Sequence, residues 1–419
     1  MDPTNSKRLY ISAPLRPERF VQRSNDGGHH WKTILNVTAF DDEDYNLAYA
    51  VQKSFVMDPS NGKRLLVGTN KVFETKNART GTPTWNAISH ILSPSGDVAN
   101  QYITTLAIAP SDAKTVYAAT SDGHLWITTN GGTKWKRRDN GLFGAGGTVL
   151  DIRIDPGNAS HGYAVSAYTA GVWELNQTGS TFQWTNISGD LPTNVSGLCI
   201  AVDWRYSIPA LYVGTTRGVY HSVNNGGQWK IFGADLPNTM VMDLETLDAK
   251  HVLAAATFGR GTWEILISPS RISGRVFEDL DGNGVHDPND PGMEGVIVFL
   301  DVSGNNRLEK FQFRTTTGAA GHYVFDSVPP GKYAVRQIVP NAFVQTTVNP
   351  QRIRVGGSQV EGQNFGNQPM KAGIGSKEFL HRAQLHYLPG RQIGQAIGAK
   401  GEFARSMQAG RKRRDMRHA

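Results

Sequence analysis

Short runs that alternate apolar and polar residues, broken by clusters of Gly, Asn, Asp and Pro, fill the first two thirds of the chain. Runs such as "ITTLAIAP" (103–110) and "VLDIRIDP" (149–156) have the two-residue period of half-buried strands, and their boundaries carry turn residues. The strands recur. "MDPTNSKRLYISA" at the start returns as "MDPSNGKRLLVGT" from Met57 and "APSDAKTVYAAT" from Ala109. Looser copies begin at Asp155, Asp203 and Leu247, which makes six. Behind them come short strands holding Phe73, Trp126, Trp173, Tyr220 and Trp263, spaced 53, 47, 47 and 43 residues apart. Four short strands in each unit of 40 to 50 residues predict an all-β fold, a β-propeller of about six blades.

A turn of fixed composition follows this second strand of a unit and leads into a third strand headed by Trp. "SNDGGHHW", "TTNGGTKW" and "SVNNGGQW" align Ser24, Asp26, Gly28 and Trp31 with Thr128, Asn130, Gly132 and Trp135 and with Ser222, Asn224, Gly226 and Trp229. Decayed copies end at Trp85 and Trp184. Gly allows positive φ, and Ser and Asx side chains satisfy the N–H groups a turn leaves over. The Trp is expected to fill the gap between blades. His29 and His30, which could pass for a metal pair, are expected to face solvent, because the sister turns have Thr-Lys and Gly-Gln in their place.

This turn resembles the Asp-box, or bacterial neuraminidase repeat, of sialidases, sortilin-type receptors and xyloglucan-cleaving propeller glycosidases. The resemblance implies a structural role at the outer hairpin, with ligands on the central face. The first unit lacks a leading inner strand and the sixth lacks the Trp strand. Either the two ends complement each other, or the chain is the C-terminal part of a longer propeller; the second is the expectation.

Residues 1–268 thus read as propeller and 269–271 as linker. Beyond them, Asp279, Asp281, Asn283, Val285, Asp287 and Asp290 occupy positions 1, 3, 5, 7, 9 and 12 of a loop with Gly284 at position 6. That is the oxygen-ligand order of a calcium loop, with Val285 offering its carbonyl, set here between strands. Four carboxylates in twelve residues repel one another unless neutralised. Residues 272–369 resemble the B-type repeat of serine-aspartate-repeat surface proteins, a small β-sandwich, which implies structural calcium. The family's usual Glu at position 12 is Asp290 here. A second loop with Asp301, Ser303, Asn305 and Glu309 reads as weaker, or as only a turn.

Composition fits many strands and little helix: 19% charged residues and 46 Gly. Cys199 is the only cysteine and sits in "GLCIAV", so burial is expected and no intrachain disulfide can form. The formal charge of +7 belongs to the tail, where residues 370–419 hold 11 Lys and Arg against 3 Asp and Glu. That basic tail is expected to be disordered and is the one segment suited to nucleic acid, through "RKRRDMR". Its "GAKG" has the Gly-x-x-Gly form of KH loops, but the tail is too short for that fold. No run is long enough to span a membrane, and no basic, apolar leader opens the sequence.

No catalytic set emerges. "LRPERF" (15–20) does not match a sialidase arginine motif, "GAGGT" and "GIGSK" lack P-loop spacing, and the acids of "DDEDY" (41–45) read as a solvated loop. The expected function is a non-catalytic, exported or cell-surface protein whose propeller face binds carbohydrate or protein while the calcium-loaded sandwich acts as a spacer. The competing class is a sialidase-like or xyloglucanase-like glycoside hydrolase.

Overall fold

The computed structural model describes residues 2, 4–12, 20–36, 54–92, 102–139, 147–167, 171–178, 181–233 and 236–370. Six antiparallel sheets follow one another along the chain. The first holds β1 (Leu9–Ser12), β2 (Val21–Ser24) and β3 (Lys32–Leu35); the second β4 (Phe55–Met57), β5 (Leu65–Gly68), β6 (Val72–Thr75) and β7 (Asn86–Ala87). The third holds β8 (Ile103–Ile108), β9 (Val116–Thr120), β10 (Leu125–Thr128) and β11 (Lys136–Arg137). The fourth holds β12 (Val149–Asp155), β13 (Asn158–Ser166), β14 (Gly171–Thr178) and β15 (Thr181–Asn186). β16 (Gly197–Asp203), β17 (Ala210–Thr215), β18 (Gly218–Ser222) and β19 (Lys230–Phe232) form the fifth, and β20 (Val241–Leu247), β21 (Val252–Thr257) and β22 (Gly261–Leu266) the sixth. Every strand pairs with its sequence neighbour, which is the meander of a propeller blade.

The apolar side chains lie between consecutive sheets. Val21 and Ile34 meet Leu65 and Val67; Leu66 and Val72 meet Ile103 and Val116; Tyr117 and Leu125 meet Ile152 and Leu175; Tyr163 and Val165 meet Ile200 and Val213. Each sheet therefore covers its neighbour's face, and the β-propeller expected from the repeat is what forms. The first strand of a sheet also carries a device invisible in its pattern. Pairing skips one residue between Ile103 and Thr105, Val149 and Asp151, Gly197 and Cys199, and Val241 and Asp243. These recurrent bulges bend the strand at its start. They tie each inner strand to the next: Thr104 Oγ1 donates to Val149 O at 2.6 Å, Ile200 N to the Asp151 carboxylate at 3.1 Å, and Cys199 Sγ to Val241 O at 3.4 Å. Cys199 is fully buried by this contact.

A β-sandwich follows after three residues. One sheet contains β23 (Ser270–Glu278), β26 (His322–Val328), β28 (Phe343–Gln345), β30 (Gln359–Val360) and β31 (Phe365–Pro369). The facing sheet contains β24 (Ile297–Asp301), β25 (Arg314–Thr316), β27 (Gly331–Gln337) and β29 (Ile353–Val355). The only helix among the described residues is a short 3-10 turn, Asp248–Lys250. One continuous core joins the sandwich to the end of the propeller, running from Tyr206, Tyr212, Val241 and Leu244 through Ile267 to Ile272, Val298, Tyr333 and Val335. Ile267 is fully buried, and its carbonyl accepts from Arg205 Nη2 at 3.1 Å and from the Tyr206 hydroxyl at 3.4 Å.

Candidate functional site

Three groups of residues concentrate the chemistry: the Trp-ended turns, a charged cluster on the inner strands, and two acidic loops of the sandwich.

The three intact turns share one hydrogen-bond scheme. Ser24 Oγ donates to Asp26 Oδ1 and accepts from Gly28 N; Asp26 Oδ1 accepts from His30 N at 3.0 Å. Thr128, Asn130, Gly132 and Lys134 repeat it, as do Ser222, Asn224, Gly226 and Gln228, with the closing bond at 2.9 Å in both. The scheme requires Gly28, Gly132 and Gly226 at φ of 100°, 96° and 80°. The decayed copy that ends at Trp85 keeps half of it: Thr75 Oγ1 bonds Asn77, and Thr84 N replaces the missing donor at 3.0 Å. Asp26 is fully committed to the turn, its carboxyl held well below the usual range by the His30 N–H, the Ser24 hydroxyl and the His30 ring.

The Trp after each turn fastens its sheet to the one before. Trp85 Nε1 donates to Ile34 O, Trp135 to Ile88 O, Trp184 to Arg138 O and Trp229 to Ile187 O, at 2.8 to 3.1 Å. Every acceptor lies in or just after the outer strand of the preceding sheet. Trp31 differs. It is 37% exposed, with no such partner among the described residues, because no sheet precedes its own there. The expectation that it fills a gap between blades therefore fails for this copy alone.

On the inner strands, Arg153 reaches across three sheets. Its Nε donates to Ile200 O at 2.9 Å and its Nη2 to Leu244 O at 3.1 Å. The same Nη2 lies 3.0 Å from Glu245, 3.6 Å from Asp151 and 3.9 Å from Asp243. Burial works against the charge, but Asp151, Glu245 and Asp243 outweigh it and keep the guanidinium ionised. Sequence reasoning missed this cluster. Its signal was present: "LDIRID" and "MDLETL" place charges at alternating positions of otherwise apolar inner strands. "DDEDY" lies outside the described residues, as do the basic tail, "GIGSK", most of "LRPERF" and most of "GAGGT".

In the sandwich, Asp279 is fully buried and receives Gly282 N and Gly284 N, both at 2.8 Å. Burial pushes its carboxyl up, yet the nearby Thr346 hydroxyl and these N–H groups prevail and hold it low. The Asn283 amide nitrogen bridges Asp281 and Asp287 at 2.9 Å each. Asp290 accepts from Leu280 N at 3.1 Å and Asp287 N at 2.9 Å. Among the described residues no group of three or more His, Cys, Asp or Glu side chains is already drawn together as a metal site, here or elsewhere. None of the four carboxylates has a cationic side chain as partner among the described residues. An uncompensated set of hard oxygen donors in this order fits a hard cation such as calcium.

Residues 301–312 repeat this loop in detail. Asp301 receives Gly304 N and Asn306 N, Asn305 bonds Glu309, and Gln312 caps Glu309 N, in the roles of Asp279, Asn283 and Asp290. Gln312 at the twelfth position was not recognised from sequence. Here the surroundings are cationic: Arg336 donates to Asn306 Oδ1, and Arg352 and Lys230 donate to Val302 O.

Comparison with known proteins bears on this second region. Residues 270–381 match the family model described as SdrD B-like domain. Among curated proteins the chain is similar to Colossin-B of Dictyostelium discoideum, 26% identical over 172 residues. It is also similar to serine-aspartate repeat-containing protein F of Staphylococcus epidermidis, 36% identical over 74 residues. These alignments cover 40% and 18% of this chain, and the chain spans about 4% of the length of either relative. Among solved structures, the GH74 xyloglucanase from Xanthomonas campestris superposes with a TM-score of 0.47 at 15% identity, covering 76% of this chain and 50% of that one. No helix among the described residues is long and apolar enough to cross a membrane.

Proposed function

We propose that this chain belongs to a non-catalytic extracellular or cell-surface protein, in which the propeller presents a binding face for carbohydrate or protein and the sandwich is a spacer stiffened by one calcium ion. The observation that carries the reading is the loop 279–290: four carboxylates in calcium-ligand order, without a counter-cation among the described residues, in a domain that matches the SdrD B-like family. Asp279, Asp281, Asn283, Asp287 and Asp290 would hold the ion with the Val285 carbonyl. Its charge would supply the neutralisation that backbone N–H groups now provide in part. The Asp-box reading of the Trp-ended turns gives them a joining role, in keeping with their hydrogen bonds.

Binding is preferred to glycoside hydrolysis on the state of the inner acids. A glycosidase needs one carboxyl kept protonated opposite a second that acts as base or nucleophile. Asp151, Asp243 and Glu245 instead all lie within 3.9 Å of the one Arg153 Nη2 atom, an ion-paired cluster and not an acid set opposite a separate base.

Calorimetric titration of the full chain, stripped of metal, tests the calcium reading. One ion should bind, and at a hundredfold excess over Kd it should stabilise the protein by about 2.7 kcal/mol. The Asp279→Ala, Asp281→Ala double variant should lose both effects; unchanged binding would refute the loop assignment. Turnover of aryl-glycosides or xyloglucan that disappears in Asp243→Asn or Glu245→Gln would overturn the non-catalytic reading.

A further inference from the structure

Four cationic side chains meet where the fifth sheet of the propeller touches the sandwich. In the sandwich, Lys332 of β27 and Arg354 of β29 are direct partners across the ladder. Arg352 lies two residues before Arg354 and so shares its face of the strand. All three are exposed, whereas Tyr333 and Val355, which alternate with them, are buried. Lys230 of β19 reaches over from the propeller: its Nζ and Arg352 Nη2 both donate to Val302 O, at 3.4 and 2.5 Å. Arg352 Nη2 also donates to Lys332 O at 3.3 Å, and Lys230 is in turn the direct partner of His221 across β18 and β19.

Like charges placed opposite each other across a ladder destabilise it, so folding alone does not favour Lys332 beside Arg354. Among the described residues no carboxylate lies within ion-pair distance of any of the four cations. The two acids that act on Lys230 are engaged elsewhere: Asp190 accepts from Trp229 N at 2.6 Å, and Asp301 from Gly304 N and Asn306 N at 2.6 and 2.8 Å. Burial, then Arg352 and Lys332, outweigh them and lower the Lys230 pKa. A compact acceptor with several oxygens suits such a seam, because guanidinium forks match a tetrahedral oxyanion and lysines add point charges. We propose that the seam binds a phosphate or sulfate group, either free in solution or carried on a sugar, with Lys230, Lys332, Arg352 and Arg354 as its donors. The site lies outside both the propeller face and the loop 279–290, so it stands or falls apart from the binding-face and calcium readings.

Titration of the full chain, stripped of metal, with sodium phosphate, sodium sulfate and glucose 6-phosphate at fixed ionic strength tests this. Binding should saturate at one anion per chain. His221 supplies an independent readout, since Lys230 and Arg354, after burial, hold its pKa at about 4. With sulfate, which keeps its charge through the acid range, a carbon-13 titration of the imidazole should show that pKa raised by about one unit. Lys332→Gln and Arg354→Gln, both at exposed positions, should each weaken binding by about tenfold, and the denaturation midpoint should stay level or rise, because each removes the like-charge pair. Arg354→Lys, which keeps the charge without the fork, should recover part of the affinity. Tighter binding of glucose 6-phosphate than of inorganic phosphate would assign the site to a sugar-borne group, and equal binding to the free ion. Unchanged binding in both glutamine variants, failure to saturate, or an equal His221 shift with chloride in place of the oxyanion would overturn the proposal.

Discussion

His221 offers a measurable link between the propeller and the sandwich. It lies in β18 opposite Tyr212 on one side and Lys230 on the other, with its ring 4.8 Å from that of Phe232. Nδ1 is buried and has no hydrogen-bond partner among the described residues. Burial, with Lys230 and then Arg354 of the sandwich close by, lowers its pKa from 6.5 to about 4. The folded protein therefore holds His221 neutral where the unfolded chain takes up a proton. Stability is unaffected above pH 6.5, falls as pH drops from 6.5 towards 4, and levels off below. A difference of about 2.5 pKa units at 1.36 kcal/mol each amounts to about 3 kcal/mol. The assay is urea denaturation of wild type and His221→Phe at several pH values, together with a carbon-13 titration of the imidazole. The substitution keeps an aromatic ring in the stack and removes the titrating group, so other ionisations cancel in the difference. Wild type should lose about 3 kcal/mol relative to the variant between pH 6.5 and 4. A flat difference, a slope of opposite sign, or a measured imidazole pKa above 6 would refute the reasoning.

The tryptophan fastenings predict an asymmetry between sister residues. Trp229→Phe leaves the Ile187 carbonyl without its buried donor and should cost about 1–3 kcal/mol, whereas Trp31→Phe should stay within about 0.5 kcal/mol by the same denaturation assay. Gly226→Ala places a methyl group at φ 80° against Ile187 O, so loss of several kcal/mol or failure to fold is expected. Gly27→Ala, at φ 77° with open space around it, should show only the backbone cost of about 1 kcal/mol; equal effects would refute the inter-sheet contact.

The repeat and its turns were legible because their physics is local. Ser24, Asp26 and Gly28 bond within five residues, so composition and spacing suffice to announce them. The loops at Asp279 and Asp301 are local in the same way, although Gln312 escaped notice because a neutral amide in the twelfth position does not look like a ligand. What stayed hidden depends on residues far apart. Arg153 meets Leu244 only once three sheets stand side by side, and the inner-strand bulges leave the alternation of their strands intact. The exposure of Trp31 was equally out of reach, since its turn is intact and only the absence of a neighbouring acceptor separates it from Trp135 and Trp229.

The unbroken core through Ile267 also has a mechanical meaning. Only three residues separate β22 from β23; Arg205 and Tyr206 clasp the connection from the propeller side at Ile267, and Lys230 reaches past it to the Val302 carbonyl of the sandwich. Tension applied to the sandwich would pass into the fifth and sixth sheets as shear instead of being absorbed by a slack tether. Propeller and sandwich would then turn together, as the head and handle of one rigid tool.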